Sequence, residues 1–313
     1  MNDEIRNLLE EKRELELRIG SLPYHGTPEI KRSKDNKYLY MRKRELGKIT
    51  SNYVGVYSDD LYNLLITNNR NERLWNKDLR TINKKLASLN YVEEFKLSSK
   101  VILNIDFARK EMKNSIYDQA VLEGVATTFA NTSEIIDNGE VNGMKAEDVL
   151  KIVNLKHAWE FVMDELVLSS ESDFYVMSTI NKFINQGIYY SAGLVRNVPV
   201  RISGTTYIPT VVVESMVREE ISSIIKHGKT HIEIAIDLAL YVMKKQVFND
   251  GNKRTGVIFA NHYLISKGEG LLVIPYNLVK EFQERLVQYY EDEPKNGVVK
   301  FMKECCWQRF DTV

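Results

Sequence analysis

Lys245-Gln246-Val247-Phe248-Asn249-Asp250-Gly251-Asn252-Lys253-Arg254-Thr255-Gly256 joins two apolar stretches, Ile232 to Val242 before it and Val257 to Leu264 after it. Both flanks predict helices, and the Asn-Asp-Gly-Asn run between them has the composition of a turn ending at a helix N-terminus. A glycine-containing loop that enters a helix presents unpaired backbone N–H groups and the positive end of the helix dipole, which suits an anion. Lys253 and Arg254 sit at the end of the helix where cations are unfavourable, a cost that a bound polyphosphate would offset. Asp250 is a hard oxygen donor beside that nest, placed to hold Mg²⁺ with phosphates completing the shell. On spacing alone, phosphate binding and an ordinary helix–turn–helix with solvent-facing charges both remain open.

Outward from this loop the period is mostly helical. Helices are predicted near 103–122, 145–168, 172–186, 209–227, 230–246, 252–267 and 276–291, with a last one near 295–307. One interruption runs from Gly193 through Arg196, Ser203 and Gly204 to Tyr207 and Pro209, alternating apolar and polar residues about Ser203-Gly204. That alternation predicts a short β-hairpin. With no sheet to join, a hairpin among helices suits a flap serving a site. The fold class expected is therefore mainly α, a helical core with a β-hairpin flap over residues 96–313.

The first 95 residues follow another pattern. Ile5, Leu8, Leu9, Leu15 and Ile19 predict an amphipathic helix ended by Gly20 and Pro23. Residues 24–57 are rich in β-branched and aromatic residues broken at Asp35-Asn36 and Leu46-Gly47, which predicts a three-strand antiparallel meander. The helical period returns from Asp60 to Leu89, completing a small α/β accessory module. Between Glu29 and Lys48 there are eight bases (Lys31, Arg32, Lys34, Lys37, Arg42, Lys43, Arg44, Lys48) against three acids (Glu29, Asp35, Glu45). Interleaved with Tyr38 and Tyr40, this stretch reads either as a surface for nucleic acid or an acidic partner, or as charge that prevents edge pairing of an exposed sheet.

Composition narrows the classes. The chain has 313 residues, 43% hydrophobic and 27% charged, as expected of a globular protein. Forty-three Lys+Arg balance forty-three Asp+Glu, which excludes a whole-chain pull toward nucleic acid or anionic lipid. No apolar run approaches the ~18 residues of a membrane span, and the charged N-terminus has no signal-peptide core. The two cysteines, Cys305 and Cys306, are neighbours and form no disulfide framework or zinc spacing. A cytoplasmic protein is expected.

The loop resembles the signature of the Fic/Doc family, His-x-Phe-x-(Asp/Glu)-(Gly/Ala)-Asn-(Gly/Lys)-Arg, at every position except the first, where this chain has Gln246. Gly193, Arg196, Gly204, Tyr207 and Pro209 resemble the family's flap, and Gln119 to Glu123-Gly124 resembles its inhibitory motif, (Ser/Thr)-x-x-x-Glu-(Gly/Asn), on the helix near 103–124. The resemblance runs from about residue 100 to 310 and leaves the first ninety residues uncovered. It implies a toxin-like nucleotidyltransferase that moves AMP from ATP, with Mg²⁺, onto a Ser, Thr or Tyr hydroxyl of a target protein, with self-modification and autoinhibition. By resemblance, Asp250 would bind Mg²⁺, Gly251, Asn252 and Lys253 would cradle phosphates, and Arg254 would neutralise one. The flap (Gly193, Arg196, Gly204, Tyr207) would hold the target by strand addition.

Three departures qualify that expectation. Gln246 stands where the family has its catalytic histidine, and a carboxamide cannot act as a general base near neutral pH. An introduced substitution, a natural pseudoenzyme and another base (His231 and His262 are the nearest) all remain open, and the chain as written is expected to be inactive or impaired. Val257 replaces a second arginine, which together with Lys253 resembles the Doc branch, so Doc-like phosphotransfer is an alternative to AMP transfer. Glu123 then lacks that arginine as a partner, and an inhibitory clamp or a plain helix end are both open. The rival class is a non-catalytic, ATP-binding module that recruits a partner.

Overall fold

The computed structural model describes residues 3–33, 36–45, 48–89, 97–138, 143–226, 229–291 and 294–310. The boundary expected at 95/96 lies outside the described residues, as do Lys34, Asp35, Leu46 and Gly47. The chain divides into two compact units, one built mainly of residues before 97 and a larger one from Leu97 onward.

In the first unit, α1 (Asp3–Gly20) lays Leu8 and Leu15 against Ile82 and Leu86 of α2 (Asp59–Ser88). Ser58 caps α2 by accepting from the Leu61 N–H, and Asp59 and Asp60 in the first turn suit the helix dipole. Strands β1 (Thr27–Ser33), β2 (Asn36–Glu45) and β3 (Lys48–Val56) form an antiparallel sheet in that order. Alternation along β2 sends Leu39 and Met41 into a core with Leu65 of α2 and leaves Tyr38 and Tyr40 on the other face.

The larger unit is helical: α3 (Ser99–Leu122), α4 (Phe129–Asn138), α5 (Ala146–Val162), α6 (Glu165–Leu168), α7 (Phe174–Ile184), α8 (Glu214–Lys226), α9 (His231–Lys245), α10 (Asn252–Lys267), α11 (Val279–Tyr290) and α12 (Asn296–Phe301). At its centre, α10 is buried on all sides from Arg254 to Ile265, so it lacks an amphipathic stripe. It packs against α9 so closely that a Cβ on Gly256 would lie 2.8 Å from the Ala239 carbonyl oxygen. Helices α3, α5 and α7 cover its other sides. The architecture is mainly helical with an N-terminal α/β module.

Several boundaries differ from the sequence pattern for local reasons. The single helix expected over 145–168 breaks at Met163, and the Asp164 carboxylate caps the short α6 by accepting from Leu166 and Val167 N–H. The helix expected from 209 begins at Glu214, and the β-branched run Val211–Val213, which disfavours helix, lies outside it. Helix α4 has no counterpart in the sequence reading, nor has the pairing of β4 (Leu271–Leu272) with β5 (Trp307–Gln308). The last helix stops at Phe301 and continues as a π-turn over Met302–Cys306.

The flap keeps its turn at Ser203-Gly204, where Gly204 has φ +84°. Among the described residues no strand ladder joins its arms, and Pro199 and Pro209 each remove a donor such a ladder would need. Arg196 holds the arms instead. Its guanidinium is buried and donates to the carbonyls of Val198, Pro209 and Thr210 in the flap and of Lys245 and Gln246 at the end of α9.

Candidate functional site

The loop begins where α9 ends. Gln246 takes a left-handed conformation, φ 50° and ψ 61°, the sole positive φ outside glycine among the described residues. Its side chain is engaged at both ends: Nε2 donates to the Met243 carbonyl at 2.6 Å, and Oε1 accepts from Asn252 Nδ2 at 3.1 Å. Asn252 also closes the loop on itself, accepting from the Phe248 N–H at 2.9 Å and donating to the Phe248 carbonyl at 2.8 Å. Phe248 is buried beneath it, and Val195 of the flap bridges to Phe248.

From below, α7 fixes the loop. Asn181 and Asn185 both donate to the Asp250 carbonyl, at 2.9 and 3.0 Å. Asn181 also donates to Thr255 Oγ1 at 3.0 Å and accepts from the Gly193 N–H at 3.0 Å, so one buried amide joins the loop, α10 and the flap. Gly251, at φ +75°, turns the chain into α10, and a Cβ there would lie 2.9 Å from Asn185 Nδ2.

Charge converges on the start of α10. Arg254 is buried and donates to Asp250 Oδ2 at 2.7 Å, with its Nε 3.5 Å from Glu123 Oε2. Lys253 Nζ is 3.8 Å from Glu123 Oε1. The two carboxylates offset cations held at the unfavourable end of a helix. Compensation is incomplete: Arg254 Nε and Nη1 and Glu123 Oε1 are buried atoms with no hydrogen bond. Glu123 reaches this position as the C-cap of α3, which ends on Gly124 at φ +75°.

Above the loop lies a cavity of about 820 Å³ lined by Glu123, Gln246, Asp250 to Lys253, the flap from Val200 to Gly204, and α11 residues including Lys280 and Tyr290. Burial, with Tyr289, Glu123 and Tyr207 nearby, pushes the Tyr290 phenol well above its ordinary value, so it remains a neutral hydroxyl. Tyr207 of the flap stacks on it at 17° between rings, and Glu291 accepts from Thr205 and Thr206, pinning the flap end to α11.

Residues 173–264, which span α7, the flap and the loop, match the model of the Fic/DOC family. The chain carries a Fic/DOC family domain. Residues 3–63 match a second model, described as a domain of unknown function (DUF6788). Among solved structures, Fic-1 from C. elegans is similar at 18% identity and TM-score 0.52, over 79% of this chain and 74% of that one. A Fic family protein from Desulfovibrio desulfuricans G20 is similar at 14% identity and TM-score 0.52, over 68% and 73%. A Fic domain containing signaling protein from Bacteroides thetaiotaomicron follows at 17% identity and TM-score 0.50, over 66% and 86%. At these identities the likeness is one of fold. No curated protein matches the chain by sequence.

Within the larger unit the structure brings Gln246, Asp250, Gly251, Asn252, Lys253, Glu123 and Gly204 to one cavity, with Arg254 behind it in contact with Glu123 and Asp250. Gly193, Arg196 and Tyr207 support the flap rather than line the cavity, and Gly124 shapes the helix end. His231 pairs with Tyr263 at the far end of α9, and His262 is buried between Ser172 and the Val167 carbonyl, so neither histidine reaches the loop. Val257, at the position of the family's second arginine, is fully buried in the core. Gln119 is buried too and accepts from Trp159 Nε1 at 3.0 Å. Sequence reasoning missed Asn181 and Asn185, whose signal was two amides four apart at the C-terminal end of α7. It expected the helix that became α11 but gave it no part in the site, since nothing in the pattern marks Tyr290 or Lys280 as facing the loop.

Proposed function

We propose that this Fic domain binds ATP with Mg²⁺ and transfers AMP to a protein hydroxyl, and that Gln246 and Glu123 hold it at low activity. The observation that carries the reading is the pair of unfilled donors on buried Arg254, in the first turn of α10 directly behind Asp250 to Lys253 of the cavity lining. A phosphate oxygen satisfies such donors and the helix end together. Gly251 lets the backbone approach the phosphates, and Lys253 reaches them from the cavity wall. Asp250 is the carboxylate that would hold Mg²⁺. Among the described residues no cluster of three His, Cys, Asp or Glu could hold a metal, so the ion depends on phosphates for its remaining ligands, as Mg²⁺ commonly does. Bound there, it would neutralise charge developing on the phosphates.

In the transfer, a hydroxyl oxygen of the target attacks the α-phosphorus, the bond to pyrophosphate breaks, and the hydroxyl proton must leave. Gln246 cannot take it, so it passes to solvent water. The Gln246 amide braces the loop through its bonds to Met243 and Asn252, which leaves slow transfer resting on positioning and electrostatics. A general base contributes about 10²–10⁴ in rate, so Gln246→His should raise labelling by at least about 100-fold. The test is self-modification of that variant with ATP carrying ³²P at the α or the γ position. Retained α label supports AMP transfer, retained γ label replaces it with Doc-like phosphotransfer, and no label from either removes the transferase reading.

A further inference from the structure

The N-terminal unit carries a surface that the Fic chemistry does not use. On the face of the sheet turned away from α2, register places Lys31 opposite Tyr38, Tyr40 opposite Tyr53, and Tyr38 opposite Val56. Tyr53 contacts both neighbours, with ring centroids 6.2 Å from Tyr38 and 5.5 Å from Tyr40. The Lys31 ammonium stands 4.3 Å over the Tyr40 ring, and exposed Arg42 follows two residues along the same face. Three tyrosines thus form a connected strip across two strands, edged by cations and by Val56, which is 59% exposed.

The strip lies within the most basic stretch of the sequence. The chain as a whole is neutral, yet the segment from Glu29 to Lys48 has eight bases and three acids. One of those acids is already engaged: Glu29 accepts from Ser51 at 3.0 Å and lies 3.9 Å from Lys31. Arg32 and Lys37, paired in register at the hairpin end, are exposed and by alternation belong to the opposite face. A cross-strand tyrosine pair alone is explained by sheet stability. That account leaves unexplained the placement of Lys31 over the Tyr40 ring with Arg42 next on the same face.

We infer that this face binds single-stranded nucleic acid, with bases stacking on the Tyr38–Tyr53–Tyr40 strip and Lys31 and Arg42 meeting phosphates. Aromatic rings interleaved with cations on an open sheet match the chemistry of an unpaired strand, whose bases are open to stacking and whose backbone carries regular negative charge. A duplex hides its base faces and an acidic protein has no stack to offer. Charge complementarity and the aromatic strip together therefore select the single strand.

The test is fluorescence anisotropy of the full chain with fluorescein-labelled oligo(dT) and oligo(U) of about 20 nucleotides, from about 50 to 200 mM salt. Binding of either strand, weakened about tenfold by Tyr40→Ala and retained by Tyr40→Phe, is expected, because stacking needs the ring and not the hydroxyl. The surface pair Lys31→Gln with Arg42→Gln should flatten the salt slope by about 1.4, two phosphate contacts at about 0.7 each. This pair is exposed and keeps the proposal testable should Tyr40→Ala disturb the sheet. Absence of binding at low salt, a duplex bound as tightly as the single strand, poly-glutamate displacing the strand as well as unlabelled oligo(dT) does, or an unaltered slope in the double variant would each overturn the inference. None of these outcomes depends on transfer activity, so the two proposals stand or fall separately.

Discussion

Glu123 and Arg254 meet across two helix ends: the carboxylate of Glu123, the C-cap residue of α3, lies 3.5 Å from a guanidinium in the first turn of α10. Each charge sits at the unfavourable end of its own helix and meets the favourable end of the other, an anion at the start of α10 and a cation at the end of α3. The contact therefore depends on the pairing itself, and Arg254 shares its charge between Glu123 and Asp250. A phosphate at the start of α10 would compete for the same guanidinium.

Glu123→Gln removes that competitor while keeping its shape. ATP affinity should rise about tenfold, the value of one charge-assisted hydrogen bond of about 1.5 kcal/mol. Stability without nucleotide should fall, because Arg254 then keeps Asp250 alone. Titration calorimetry in Mg²⁺ and a thermal melt of the same samples read both effects, and equal affinities would remove Glu123 as a clamp.

Gln246 stores backbone strain at the point where α9 hands over to the loop. A side chain in the left-handed region costs about 1–2 kcal/mol, which glycine escapes. Gln246→Ala and Gln246→Gly lose the same bonds to Met243 and Asn252, so their difference isolates the strain. The glycine variant should be more stable than the alanine variant by about 1 kcal/mol in urea unfolding. Equal stabilities would mean that the loop relaxes once the amide is gone.

The loop and its helices were legible because their signals are contiguous: apolar periods either side of Asn249–Asn252, with Gly251 where φ turns positive. The N-terminal meander was legible for the same reason, through alternation at Tyr38–Met41. The flap was legible only as a turn, since what holds its arms is five carbonyls gathered by Arg196 from two distant segments. The break between α5 and α6 rests on one carboxylate, Asp164, inside an unbroken apolar period. Arg254 could be named from its motif, but the 3.5 Å approach of Glu123 is a tertiary fact with no local signature.

Asn181 is the hub beneath the loop, bonded to the Asp250 carbonyl, Thr255 and the Gly193 N–H. Asn181→Ala takes a partner from the Gly193 N–H and Thr255 Oγ1 and leaves the Asp250 carbonyl to Asn185 alone, and should cost about 2–4 kcal/mol by denaturant unfolding. Asn185→Ala removes one of the two bonds to the Asp250 carbonyl and should cost about 1 kcal/mol. Any ATP-induced rise in melting temperature should shrink more in the first variant than in the second. The opposite order would place the hub at Asn185.

Asp118 on α3 sets a pH dependence of the fold. Burial raises its carboxyl from an ordinary 3.8 to about 6, against the opposing effect of the Tyr276 N–H that donates to it at 3.0 Å. The folded value lies above the unfolded one, so between about pH 4 and pH 6 the folded state holds the proton more tightly. Stability contributed by this group is present below about pH 4 and is lost as pH rises through the folded value near 6. Asp118→Asn keeps an acceptor for Tyr276 and removes the charge. With the two-unit shift discounted for partial exposure, it should gain about 1 kcal/mol at pH 7.5 and nothing below pH 4. Urea unfolding of both proteins at the two pH values measures this. A gain of equal size at both would assign the effect to packing, and a loss at pH 7.5 would show that the ionised carboxylate stabilises the fold.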